Sequence, residues 1–169
     1  MLYYLYPTRN QRFLFEETVP PRICRELPAR RDARIRKHLA QAKDYWLKDP
    51  LELTQGDVCQ AGEKGWGTVA QLTKAVATHR GWQHYDHVAT QEAITAISDE
   101  MPDRVIDIGR GLGAAERMRG NFYEGFMTPT LAELALSEVG PLLEILWGLL
   151  LEEYTDGGSF AEWAASDDS

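Results

Sequence analysis

The feature that most restricts this chain is an apolar step of three and four residues that recurs in segment after segment. Val58, Ala61, Gly65, Val69, Leu72 and Val76 fall on one face of a helix, and Ile35, Leu39, Ala42 and Trp46 do the same upstream. A half-buried strand would alternate every second residue instead.

Punctuation divides the pattern into elements. The first helix is expected from Asp32 to Asp49-Pro50, because the residue before a proline is pushed out of the α region. The second runs from about Leu53 or Asp57 to His79, with Gly81 as its left-handed cap. Asp86 caps a third, which carries Thr90, Ile94, Ile97 and Met101. Pro102-Asp103 restarts the chain into a fourth that reaches about Met127. Thr128-Pro129 opens a fifth that runs to about Tyr154, kinked at Pro141. The fold class predicted is therefore all-α, an up-and-down bundle of four to five helices over residues 30–154. Residues 1–29, with "MLYYLY" and "QRFLFEETV" around "PTRN", are expected to form an N-terminal arm, a β-hairpin in its simplest form. Residues 155–169, small and acidic, are expected to be a disordered tail with a contact from Phe160 or Trp163.

Charge narrows the partners. The formal net charge of −8 argues against a broad grip on nucleic acid, which leaves RNA a weak expectation. The distribution is uneven: residues 1–50 hold 11 of the 18 Lys+Arg but only 6 of the 26 Asp+Glu. The basic run "RICRELPARRDARIRK" can meet phosphate or an acidic partner, or this chain's own acidic half. No apolar run reaches the ~20 residues of a membrane span, and the N-terminus does not read as a secretory signal, so the cytoplasm is the expected compartment. Cys24 and Cys59 read as packing residues. The last helix, apolar at Leu142, Leu143, Ile145, Leu146, Trp147, Leu149, Leu150 and Leu151, is expected to be buried on several faces or to seat a homodimer.

"GRGLGAAERMRGNFYEG" (residues 109–125) matches a loose dinucleotide fingerprint, but the mechanism of that loop needs a strand before it. Here Val105, Ile108, Leu112, Ala115, Arg119, Phe122 and Phe126 keep helical phase straight through the glycines. Gly109, Gly111, Gly113 and Gly120 must then gain something from their small size, such as close approach of a neighbouring helix. Arg119 occupies an apolar slot of that stripe. It pairs with an inward acid, for which Glu63 is the candidate, or snorkels outward, or meets the anionic group of a ligand. Arg117, Asn121, Tyr123 and Glu124 supply hydrogen-bonding groups around it. The loop "HRGWQHYDH" gathers Arg80, His84, Asp86 and His87, too thin a set for a metal site, and no cofactor is implied.

"QGDVCQAGEKGWGTVAQLTKAVATHRGW", "HYDHV" and "RGNFYEG", in that order, resemble the PaREP-type family, over about Arg34 to Leu150. That family is similar in turn to the HEPN superfamily of small helical bundles. The resemblance implies a homodimer, a toxin–antitoxin or defence-like setting, and a nucleotidyltransferase-like partner. It also implies either a binding module or a metal-independent ribonuclease, in which an Arg/His pair at the dimer seam works on the 2′-hydroxyl and phosphate of RNA. The ribonuclease motif is an arginine and a histidine with about four to six residues between them. No histidine follows Arg119 at that spacing, whereas Arg80 and His87 have the gap but bracket a helix junction. Arg80, His87 and Arg119 are thus the catalytic candidates. Glu63, His84, Arg117, Asn121, Tyr123 and Glu124 are the binding candidates, and Arg119, Asn121 and Tyr123 would floor the pocket of a nucleotide or small anion.

Overall fold

The computed structural model describes residues 21–23 and 26–166. Among these residues the fold is all-α: α1 (Pro28–Thr54), α2 (Val58–His79), α3 (His87–Glu100), α4 (Val105–Glu124), α5 (Pro129–Trp147) and the short α6 (Glu152–Thr155) and α7 (Phe160–Ala165). A single 3-10 turn, Pro102–Arg104, leads into α4. The expected hairpin of the arm lies outside the described residues, as does Cys24. What is described there is one antiparallel bridge between Ile23 and Trp82.

Three of the helix starts follow from their caps. The side chains of Asp57, Asp86 and Thr128 accept from the backbone N–H groups of Gln60, Ala89 and Leu131, satisfying donors that the first turn leaves open. Gly81 and Gly125 turn the chain after α2 and α4 with φ of 72° and 64°, angles that cost a side chain bearing Cβ but not glycine.

Helix α2 is the hub, packed against α1, α3, α4 and α5. Its face of Ala61, Gly62, Gly65, Gly67, Val69, Leu72, Ala75 and Val76 is small enough to let neighbours close in. At Gly62 a Cβ would come 2.7 Å from the backbone oxygen of Met118, so only glycine lets α4 approach this closely. The core continues through Ile35, Leu39, Ile97, Ile108, Met118, Val139, Leu142, Leu143 and Leu146.

Four expectations are corrected. Helix α1 passes through Asp49-Pro50 and ends at Thr54. Proline leaves one carbonyl without its intrahelical partner, and packing of Trp46 against the core holds the segment helical regardless. The last helix stops at Trp147, and a turn precedes α6, so it does not continue to Tyr154. Residues 160–165 of the expected tail form α7, closed by a capping box of Ser159 and Glu162. Phe160 is buried, Trp147 Nε1 donates to Gly158 O at 2.9 Å, and the Trp147 and Trp163 rings lie 4.6 Å apart. Aromatic burial thus overrides an acidic composition. Finally, the buried side of α4 is Ile108, Gly111, Ala114, Ala115, Met118 and Asn121. Met118 is the core residue and Arg119 sits one step round, on the flank, its side chain 37% exposed.

The apolar end of α5 is spent inside the chain: Leu142, Leu143, Ile145, Leu146 and Trp147 are all buried, while Leu131 and Leu134 on its first turns face outward. Among the described residues no helix is long and apolar enough to cross a membrane.

Candidate functional site

Helices α2, α3 and α4 bring together a cluster around the Glu116 carboxylate. His87 opens α3, where the Asp86 cap places it; Gln91 follows one turn later on the same face. His87 Nε2 lies 3.7 Å from Glu116 Oε1, and Gln91 Nε2 donates to the same oxygen at 3.3 Å. Arg119, one turn beyond Glu116 on α4, reaches Oε2 at 3.8 Å. Its guanidinium lies 5.5 Å from the Trp66 ring centre and 6.0 Å from that of Tyr123. Trp66 in turn lies 6.0 Å from the His87 ring. A cation flanked by two rings and held by one long ion pair keeps donors available.

Arg119 therefore pairs within its own helix. Glu63, the expected partner, lies 3.1 Å from its neighbour Lys64 instead, and Lys64 stands over the Tyr45 ring. The three-residue spacing of Glu116 and Arg119 makes them neighbours on one helix surface without any tertiary arrangement.

The remaining candidates disperse. Arg80 donates to Glu100 at 2.6 Å and lies over the Trp82 ring. Glu100 closes the 14-residue α3 that His87 opens. With a rise of ~1.5 Å per residue those ends stand about 20 Å apart, so Arg80 and His87 do not meet within the chain. Arg117 crosses to α5 and pairs with Glu138 at 2.5 Å. Asn121 is fully buried and spent on backbone: its Nδ2 donates to Val58 O at 3.2 Å, and its Oδ1 accepts from Met127 N at 2.6 Å. That one side chain ties the start of α2 to the end of α4. Tyr123 and Glu124 are exposed.

His84 belongs to a second group. Its Nδ1 bonds Trp82 O at 2.9 Å and its Nε2 bonds Thr78 Oγ1 at 3.2 Å. It meets the His38 ring edge-on at 5.4 Å, and burial pushes the imidazole of each below its ordinary range, that of His38 to about 4. His84 and His87 thus face different neighbourhoods despite their spacing.

Two groups escaped the sequence reading. Nothing in the basic run that ends at Lys37 marks the next residue, His38, as covered. Asp49, 1% exposed, has no hydrogen-bond partner at either oxygen, and burial raises its carboxyl from 3.8 to about 7. Its place before a proline signals a helix end, and nothing local reveals that the helix continues.

Chemically, the Glu116 cluster suits recognition better than proton transfer. With Nε2 of His87 turned toward the carboxylate, the other ring nitrogen, Nδ1, is buried and has no partner. A general base must reach the proton that it removes, and this nitrogen is covered.

The sequence profile of the Archaeal PaREP1/PaREP8 family matches residues 36–143, which is more than half of the chain and takes in α2, α3, α4 and the whole Glu116 cluster. The chain belongs to that family. No curated protein and no solved structure matches it. The PaREP1/PaREP8 segment leaves out α7, so the aromatic dock of Phe160 and Trp163 on Trp147 is an addition outside the matched region.

Proposed function

We propose that this PaREP1/PaREP8 protein is a HEPN-like helical binding module of a toxin–antitoxin or defence-like system, with the Trp66–His87–Glu116–Arg119–Tyr123 face as its contact surface. One observation carries the reading: a half-exposed guanidinium set beside two aromatic rings, with only a 3.8 Å ion pair to hold it among the described residues. Arginine and large aromatics dominate the energetics of protein recognition surfaces, where a fixed planar cation meets a carboxylate or a ring with little loss of freedom. The partner proposed is a nucleotidyltransferase-like protein encoded beside it. A second copy of the chain would pack on Leu131 and Leu134, which remain outward on α5.

Co-expression with the product of the neighbouring gene tests the reading. A complex is expected to co-purify with the native chain and to be lost with Arg119→Ala and Trp66→Ala. A complex that survives both substitutions overturns the contact surface. The ribonuclease alternative makes a different demand: metal-independent cleavage of single-stranded RNA that disappears in His87→Ala. Such cleavage would replace the module reading.

A further inference from the structure

Three weak points coincide at the end of α1. Pro50 sits inside the helix without an N–H to donate, so the carbonyl of Trp46, four residues earlier, loses its intrahelical bond. One position before it, Asp49 is 1% exposed, and neither carboxylate oxygen has a hydrogen-bond partner. That carboxylate presses on α2: its Oδ2 and the Met118 sulfur each lie 2.9 Å from the place that a Cβ on Gly65 would occupy. On the α5 side the packing is open. Two hollows of about 220 Å³ and 340 Å³ share Pro50 and Leu136 and are lined by Trp46, Asp49, Leu53 and Glu133 among others. Gly56, with φ of 81°, turns the chain just beyond the helix.

No charge among the described residues compensates the Asp49 carboxylate. On α1, Lys48 pairs with Asp44; on α2, Lys64 pairs with Glu63 and stands over the Tyr45 ring. On α4, Arg117 pairs with Glu138 of α5 and Arg119 with Glu116. Glu133 of α5, in the wall of the larger hollow, has the same sign as Asp49. Burial alone shifts the carboxyl, from 3.8 up to about 7. A covered carboxyl without a partner is tolerated while it holds its proton and becomes costly once it loses it.

We propose that Asp49 triggers a pH-dependent latch: protonated, it closes the last turns of α1 (Asp49–Thr54) onto α2, and once ionised it leaves its seat, so that those turns swing out between the Pro50 break and Gly56. The rest of α1 stays in place, because Ile35, Leu39 and Ala42 belong to the core and Trp46 packs against it. Opening gives up the contacts of the half-buried Leu53 and the last helical bonds, and it joins the two hollows into one groove that reaches the α2 backbone at Gly65. An opened Asp49 titrates in the ordinary aspartate range. The opening equilibrium is therefore smallest below pH 3.8, grows by up to about tenfold per pH unit above it, and levels off once the pH passes about 7. His38 lies on the part of α1 that stays seated, so its opposite titration does not offset this local opening.

Hydrogen–deuterium exchange of the full chain tests this, read by mass spectrometry at pH 5, 6, 7 and 8 with labelling times scaled for the intrinsic amide rate. On the scaled axis, residues 50–56 are expected to exchange at least about tenfold faster at pH 7 than at pH 5, while residues 66–76 of α2 change far less. Asp49→Asn, with nothing to ionise, is expected to lose that dependence. Pro50→Ala, which restores a donor to the Trp46 carbonyl, is expected to exchange more slowly at every pH and to keep the dependence. Circular dichroism confirms that both variants are helical. Scaled exchange of residues 50–56 that is flat from pH 5 to 7, or equalled in α2, or unchanged in Asp49→Asn, overturns the latch. A Pro50→Ala variant that opens as readily as the native chain overturns the hinge.

Discussion

His87 and Arg119 approach opposite oxygens of the Glu116 carboxylate, at 3.7 Å and 3.8 Å, from two different helices. The carboxylate is shared rather than saturated: neither contact is short, and Arg119 keeps an exposed edge beside Trp66. This arrangement supports the contact surface proposed above. It contributes little to holding the fold, which gives the first test.

Arg119→Ala is expected to cost at most about 1 kcal/mol of stability, since half-exposed ion pairs and cation–ring contacts are individually weak. Met118→Ala, one position earlier, removes a fully buried side chain and should cost about 2–5 kcal/mol. Urea denaturation of the pair decides which residue occupies the core slot. Similar losses for both would place Arg119 back among the structural residues.

Asn121→Ala is expected to destabilise by about 2–3 kcal/mol, because Val58 O and Met127 N both lose their partner in a buried position. Asn121→Asp keeps the acceptor for Met127 N but sets a buried carboxylate oxygen against Val58 O, so it is expected to destabilise at least as much as alanine near neutral pH and to recover part of the loss when melted at low pH, where the carboxyl is protonated.

Asp49 and His38 work against each other with pH. Asp49, raised from 3.8 to about 7, binds its proton more tightly when folded, so its contribution is complete below pH 3.8 and is lost as pH rises toward and through 7. His38, lowered from 6.5 to about 4, contributes above pH 6.5 and loses that contribution as pH falls toward and through 4. Each slope approaches about 1.4 kcal/mol per pH unit, with opposite sign, so between pH 4 and 6.5 the two largely cancel. In Asp49→Asn the cancellation ends, and stability should rise clearly with pH across this window. The same variant at pH 8 is expected to gain on the order of 3 kcal/mol, as an upper bound, by removing an unpaired buried carboxylate. Melting temperatures measured from pH 4 to 8 provide the check, and parallel curves for variant and native chain would contradict it.

Three glycines of the bundle should respond in opposite directions to the same added methyl. At Gly109 a Cβ meets nothing within 4 Å, so Gly109→Ala is expected to stabilise by up to about 1 kcal/mol through helix propensity alone. At Gly62 it would press on the Met118 backbone at 2.7 Å, and at Gly111 on Leu142 Cβ at 2.5 Å, and both alanine variants should lose stability. Thermal melts of the three single variants suffice.

The glycine run also shows how far the sequence could be read. Its helical phase excludes a phosphate loop, and α4 is indeed continuous from Val105 to Glu124. Of the four glycines expected to admit a neighbour, only Gly111 does so; Gly109, Gly113 and Gly120 have ordinary space or open solvent around them. Period locates a helix but leaves its rotation loose when two adjacent positions, here Met118 and Arg119, compete for one slot. Met118 wins because its flexible thioether fills the gap against Gly65, a residue on another helix that no local pattern in α4 can anticipate. Asp49 and His38 stayed hidden for the same reason: burial is a property of the assembled helices. The clustering of His87, Gln91, Glu116, Arg119 and Trp66 joins three separate segments, and only the His87 and Arg119 positions stood out beforehand.

By itself, the sequence determined that this chain folds as helices, where the caps of α3 and α5 begin them, and that it resembles a PaREP-type protein. These are local matters, decided by side-chain spacing and by which residues can satisfy the first N–H groups of a helix. Tertiary structure alone decided that α1 runs through Pro50, that α7 docks its aromatics on Trp147, and that Met118 rather than Arg119 takes the core slot of α4. Those outcomes depend on which neighbour arrives, because a proline break, an acidic tail and a charged flank each cost less than the packing that overrides them.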